Sequence, residues 1–280
     1  MLVMLACGAL LLLAVGAGWQ WRRHALAIPG WARDELDTRS GRARCLVWFL
    51  AVAVLTGLAV GVFVVGPAGR LAMRLLAATS PDAQGRITEA DQIVGQISLT
   101  GTIGFVLFVG LPFGLAAGLA YALASFVVPR GLLGGALFGL AALVVVGAVV
   151  DPLRGDNPDF AIVGPGWLSI TTFAVMAVLA GALTAPIAGR LGAAIGRPSH
   201  WWWLWLVPLD LFTFAALSIV SLVFAGIVAA CLAVLALVLV LSPWSPAFRR
   251  RTAQLGRALA SIAVLVSVPG FVSALAAIVD

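Results

Sequence analysis

The stretch Trp201–Leu241 constrains the fold more than any other: 41 residues with a single charged side chain, Asp210. As one straight helix it would run about 60 Å at 1.5 Å per residue. That is twice the roughly 30 Å hydrocarbon layer of a bilayer. The segment is therefore expected to cross a membrane twice, as Trp201–Ile219 and Ser221–Leu241. Six further apolar runs stand elsewhere in the chain: Leu2–Trp19, Cys45–Gly66, Leu99–Phe126, Gly131–Val150, Leu168–Gly189 and Ala258–Val279. Hydrophobic residues make up 62% of the 280 and charged ones 10%, against about 25% charged in a soluble domain. These runs predict an all-α, polytopic transmembrane bundle of about eight spans in one integral membrane domain. The first run lacks a basic leader and a cleavage site, so it reads as a retained helix.

All 17 basic residues are arginines, and lysine is absent. A Walker A phosphate loop and a Schiff-base cofactor both need lysine, so neither is expected. The arginines flank spans, which explains the net charge of +6 through orientation rather than nucleic-acid binding. Counted by side of the eight-span reading, 13 arginines fall on one face and 4 on the other. The positive-inside rule then puts both termini outside. Splitting Trp201–Leu241 is needed to keep Arg190, Arg197 and the Arg249–Arg251 run on one side. Tryptophans 19, 21, 201, 202, 203, 205 and 244 gather at the same interface, a depth their amphipathic rings favour.

Enzyme signatures are missing: there is no HExxH and no GxSxG, and no span carries paired acids. No catalytic residue is assigned and no enzyme is expected. Cys7, Cys45 and Cys231 lack metal or haem spacing, and His24 and His200 flank separate spans, so no cofactor and no metal are expected. Asp151, Asp156, Asn157 and Asp159 fall in a turn-rich loop that Pro152 and Pro158 interrupt, unlike a calcium loop.

Three features are candidates for function. Asp210 is the one acid inside an apolar run, suited to couple a proton or cation, with Thr213 one turn on. It equally suits the first turn of a helix opened by Pro208. Arg70 and Arg74 stand one helical turn apart just beyond the second run. They suit a small anion or carboxylate at the outer mouth, with Glu89 or Asp91 as resting partners. They equally suit an interfacial helix whose arginines reach lipid phosphates. Gly110, Gly114 and Gly118 form a small-residue ridge on the third run, and Gly135 and Gly139 repeat the spacing on the fourth. Both are suited to close helix packing. The connecting segment 67–98 holds Leu71, Leu75, Leu76, Ile87, Ile93 and Ile97, too apolar a set for disorder. A helix over Pro67–Ala78 and a shorter one over Thr88–Val94, with Thr88 and Asp91 as its cap, are expected there.

The block GRLAMRLLAATSPDAQGRITEADQIVGQISLTGTIGFVLFVGLPFG, residues 69–114, resembles a group of uncharacterised multi-pass membrane proteins of actinobacteria. The resemblance covers about a sixth of the chain. It implies a bacterial plasma membrane and carries no activity, ligand or catalytic residue. Two functional readings stand. One is a permease or channel-like protein for a small solute or ion. The other is a non-catalytic assembly or packing subunit recognised through segment 67–98. The expected partners are the lipid bilayer and a membrane protein or a second copy of this chain, with no nucleic acid.

Overall fold

The computed structural model describes residues 1–89, 92–150, 152–202 and 246–279, together with 204, 205, 208, 215, 226, 229, 230 and 233. Asp91, Asp210, Cys231 and most of the two expected spans in Trp201–Leu241 lie outside the described residues. Among the described residues every regular element is helical, apart from one isolated antiparallel bridge between Ile87 and Ile93. Among the same described residues, five helices are long and apolar enough to cross a membrane.

Helix α1 (Leu2–Gln20) is apolar on all sides. A short helix α2 (Gly30–Glu35) leads to α3 (Arg39–Ala78), which is 40 residues long. Thr38 caps α3, its Oγ1 accepting from the Gly41 N–H at 3.0 Å, a pairing that satisfies one of the free amides of a helix start. Helix α4 (Leu99–Ala124) is capped in the same way by Ser98, whose Oγ accepts from the Gly101 N–H at 2.9 Å. Helix α5 (Leu132–Val146) has 15 residues, shorter than the expected fourth run. The four-residue α6 (Asp159–Ile162) precedes α7 (Gly166–Ala194), and α8 is Pro246–Val279.

The second run was expected to stop before Pro67, but α3 continues through it. A π-turn at Gly61–Val65 explains this, with the Gly66 N–H bonding the Gly61 carbonyl five residues back. Proline has no N–H and crowds the carbonyl four residues before it. The extra residue in a π-turn shifts the ladder so that the chain takes Pro67 without a break. Helix α4 repeats the device: a π-turn at Val106–Gly110 stands just before Pro112, with the Leu111 N–H on the Val106 carbonyl. The two π-turns touch each other.

Helices pack mainly as α3 on α4 and α5 on α7, with α3 also against α7. Helix α1 lies antiparallel to the second half of α3: Ala14 meets Val60 and Val64 in one core cluster with Leu183 and Ile187 of α7. A second cluster at the other end holds Trp48, Phe49, Tyr121 and Ala185. The Trp48 indole N–H bonds the Ile195 carbonyl at 3.2 Å and ties α3 to the chain leaving α7. Helix α8 is exposed over most of its described side chains, but its last turns pack on the bundle, where Ile278 joins a core cluster with Leu143 and Leu153.

Basic segments gather at one end of the bundle. Glu35 receives Arg44 on Oε2 and Arg197 on Oε1, both at 2.6 Å. Gly189 of α7 meets His24, Gly131 meets Arg22, and Arg257 donates to the Val127 carbonyl at 3.1 Å. The opposite end holds the start of α1, the end of α3 and the loops around Asp159.

At that opposite end the chain after α3 is held by specific bonds. The Gln84 side chain donates to the Ala77 carbonyl at 2.8 Å. Ser80 Oγ donates to the Gly164 carbonyl at 2.5 Å and accepts from the Gly164 N–H at 3.0 Å. Among the described residues of the expected helix Thr88–Val94 none is helical. The Gly85 N–H reaches the Val94 carbonyl, the Val94 N–H reaches Arg86, and the Thr88 N–H reaches Gln92, as in a hairpin. Gly85 and Gly95 flank it at φ of +82° and +88°, a region that glycine enters without strain. Thr88 Oγ1 accepts from the Gln92 N–H at 3.1 Å, so the threonine read as a helix cap closes a loop instead.

Candidate functional site

Arg70 lies one residue beyond the charge-free part of α3, Cys45–Gly69. It is 8% exposed, buried in the bundle rather than reaching out from it. Its guanidinium stands over the Phe105 ring of α4, with Cζ 5.9 Å from the ring centroid, a cation–π arrangement. Helix α1, which carries the buried Cys7, packs along this part of α3. Nη1 donates weakly to Met73 Sδ at 3.6 Å. Nε is fully covered and has no hydrogen-bond partner. Among the described residues no carboxylate reaches Arg70.

Several chain features converge to create this site. Gly69 lets the ring of Phe105 come against the α3 backbone; a Cβ there would stand 2.6 Å from Phe105 Cε1. The π-turn at Val106–Gly110 follows Phe105 directly and sets its position against α3. Met73 is exposed, so the guanidinium is one flexible side chain away from the outside of the bundle.

Other sequence candidates do not join Arg70. Arg74 is exposed one turn further on. Glu89 pairs instead with Arg154, at 2.7 and 2.8 Å to its two oxygens, and its N–H bonds Asp159 Oδ1 at 2.8 Å. Glu89 thereby pins the hairpin to the loop before α6 and is committed there. Asp91 and Asp210 lie outside the described residues.

The glycine ridges are sites of backbone contact. A Cβ at Gly114 would overlap Gly57 and Gly61, and one at Gly118 would overlap Ala53 and Gly57. Gly110 meets Gly61 and Gly66. On the other pair, Gly135 and Gly139 of α5 meet Ala177, Gly181 and Ala185 of α7. The sequence reading took one side of each seam and missed its partner. The signal was present: Gly57 and Gly61, and Ala177, Gly181 and Ala185, are small residues spaced by four.

Among the described residues, fold and site together define a class: an all-helical protein with five apolar helices of membrane-spanning length and a buried arginine that no carboxylate reaches. No protein-family model, curated protein or solved structure matches the chain.

Proposed function

We propose that this chain is a multi-pass protein of a bacterial plasma membrane that acts as a permease or channel-like protein for a small solute or ion. Eight spans with both termini outside complete the reading, which makes the Arg70 end the outer one. The observation that carries it is the burial of Arg70 with no carboxylate beside it among the described residues. A charge held between apolar helices is costly, and such residues usually line substrate or ion paths. A structural role would call for a paired carboxylate, since an uncompensated buried charge destabilises its surroundings. Arg74, exposed one turn outward, acts as a first attractor at the mouth. Asp210 remains the candidate coupling carboxylate.

The assembly-subunit reading draws on a different observation. The glycine seams close α3 on α4 and α5 on α7 backbone to backbone, while α8 offers a broad apolar face. Reconstitution separates the two. The permease reading expects purified protein in liposomes to pass at least one small ion or solute faster than protein-free vesicles. If a panel of small anions, cations and neutral solutes all leak at the protein-free rate, the transport reading fails.

A further inference from the structure

The substrate class follows from the surroundings of Arg70, and this step rests on the permease reading above. Nη1 is engaged by a thioether, one of the weakest acceptors a protein offers. Nη2 makes no hydrogen bond among the described residues, and Nε is buried without a partner. A guanidinium is a planar fork that matches a carboxylate with two parallel N–H···O bonds. Met73 is exposed and has a flexible side chain, so it can swing off Nη1 and leave the Nη1/Nη2 edge open to a ligand. The Phe105 ring covers one side of the guanidinium, and among the described residues no negative charge stands beside it. Arg74 is exposed and leaves the site with a single charge to neutralise.

We propose that Arg70 receives a small monovalent carboxylate, which displaces Met73 from Nη1 and binds Nη1 and Nη2 together. One cation without an acid selects one negative charge. A divalent anion would bring an uncompensated charge into the bundle, and a zwitterion would bring an ammonium with no carboxylate to meet it.

The test uses the full chain purified in neutral detergent, with acetate as the probe and sodium chloride holding ionic strength constant. Acetate should raise the melting midpoint of the wild type by about 3–6 °C at ten times its Kd. Arg74→Gln should keep this rise, Met73→Leu should keep or enlarge it, and Arg70→Met should abolish it. Should Arg70→Met not fold, Arg70→Lys keeps the charge and loses the fork, and its acetate Kd should be weaker by tenfold or more. An equal rise in the Arg70 variant, or none in the wild type, overturns the site. Phosphatidylglycerol is the second arm. A rise that depends on Arg70, given by that lipid and not by acetate, makes the occupant a headgroup phosphate and overturns the carboxylate. Flux keeps the two proposals apart. Acetate that binds through Arg70 while no solute of the panel crosses reconstituted vesicles upholds the site and defeats the permease. Acetate that crosses equally well through the Arg70→Met protein upholds the permease and defeats the site.

Discussion

Two neighbouring stretches of α3 meet the same problem in opposite ways. From Ala53 to Gly66 the helix gives up side chains, and backbone meets backbone at Gly114, Gly118 and Gly110 of α4. One turn beyond, Arg70 buries the largest charged side chain available and gives it a ring, a thioether and, among the described residues, no acid. Helix association in lipid gains little from the hydrophobic effect, so close van der Waals contact carries it. The seam is the economical solution to that demand. Arg70 works against it, and a feature that opposes stability points to a purpose other than packing. The paired π-turns mark the border between the two stretches, which is also where Pro67 and Pro112 enter their helices.

The largest effect expected tests the seam half of the comparison. Gly114→Leu puts four carbons where the Gly57 and Gly61 backbones already sit. It should destabilise the bundle by about 3 kcal/mol, or prevent folding. Leu13→Ala, at an exposed position of α1, is the control. If the two proteins unfold at the same denaturant midpoint in detergent, the seam is not a tight contact.

A second expectation concerns the arginine-rich end, where charge is paired. Glu35→Gln removes the acceptor for both Arg44 and Arg197, each pair being partly solvent-exposed. The loss should be about 1 kcal/mol and should shrink as salt rises. A loss that does not change between low and high salt would mean that Glu35 acts through packing.

Arg74 supplies the smallest effect. Being exposed, Arg74→Gln should alter stability by less than about 0.5 kcal/mol. A larger loss would place Arg74 inside the same buried site as Arg70 and blur the contrast between them.

These contrasts also show what the residue order reveals. Apolar run length made the helices of α1, α4, α7 and α8 legible, because crossing a bilayer requires about 20 such residues. Spacing by four made Gly110, Gly114, Gly118, Gly135 and Gly139 legible as small faces, but a face does not name its partner, so Gly57 and Gly181 were not matched to them. Arg70 and Arg74 look equivalent by helical periodicity. Only neighbouring helices, which cover one turn and leave the next open, separate them. Pro67 read as a stop because the rule against proline within a helix assumes an unbroken α ladder, and the π-turn supplies the exception. Thr88 followed by an acid read as a helix start. The flanking Gly85 and Gly95, both at positive φ, carried the hairpin signal. Glu89 was assigned to Arg70 by proximity in sequence, whereas the fold brings it Arg154, 65 residues away.

The central claim is that Arg70 is buried at a cost to the fold, and one measurement addresses it directly. Arg70→Met keeps much of the volume and removes the charge. Its unfolding free energy should be measured beside the wild type in neutral detergent, in a buffer free of carboxylates and of anionic lipid. An unpaired buried cation predicts that the variant is as stable as the wild type or more stable, by about 1–2 kcal/mol, since apolar replacements of buried charges often stabilise. A variant weaker by about 3 kcal/mol or more would show that Arg70 holds the fold through a partner of its own, and would contradict the account.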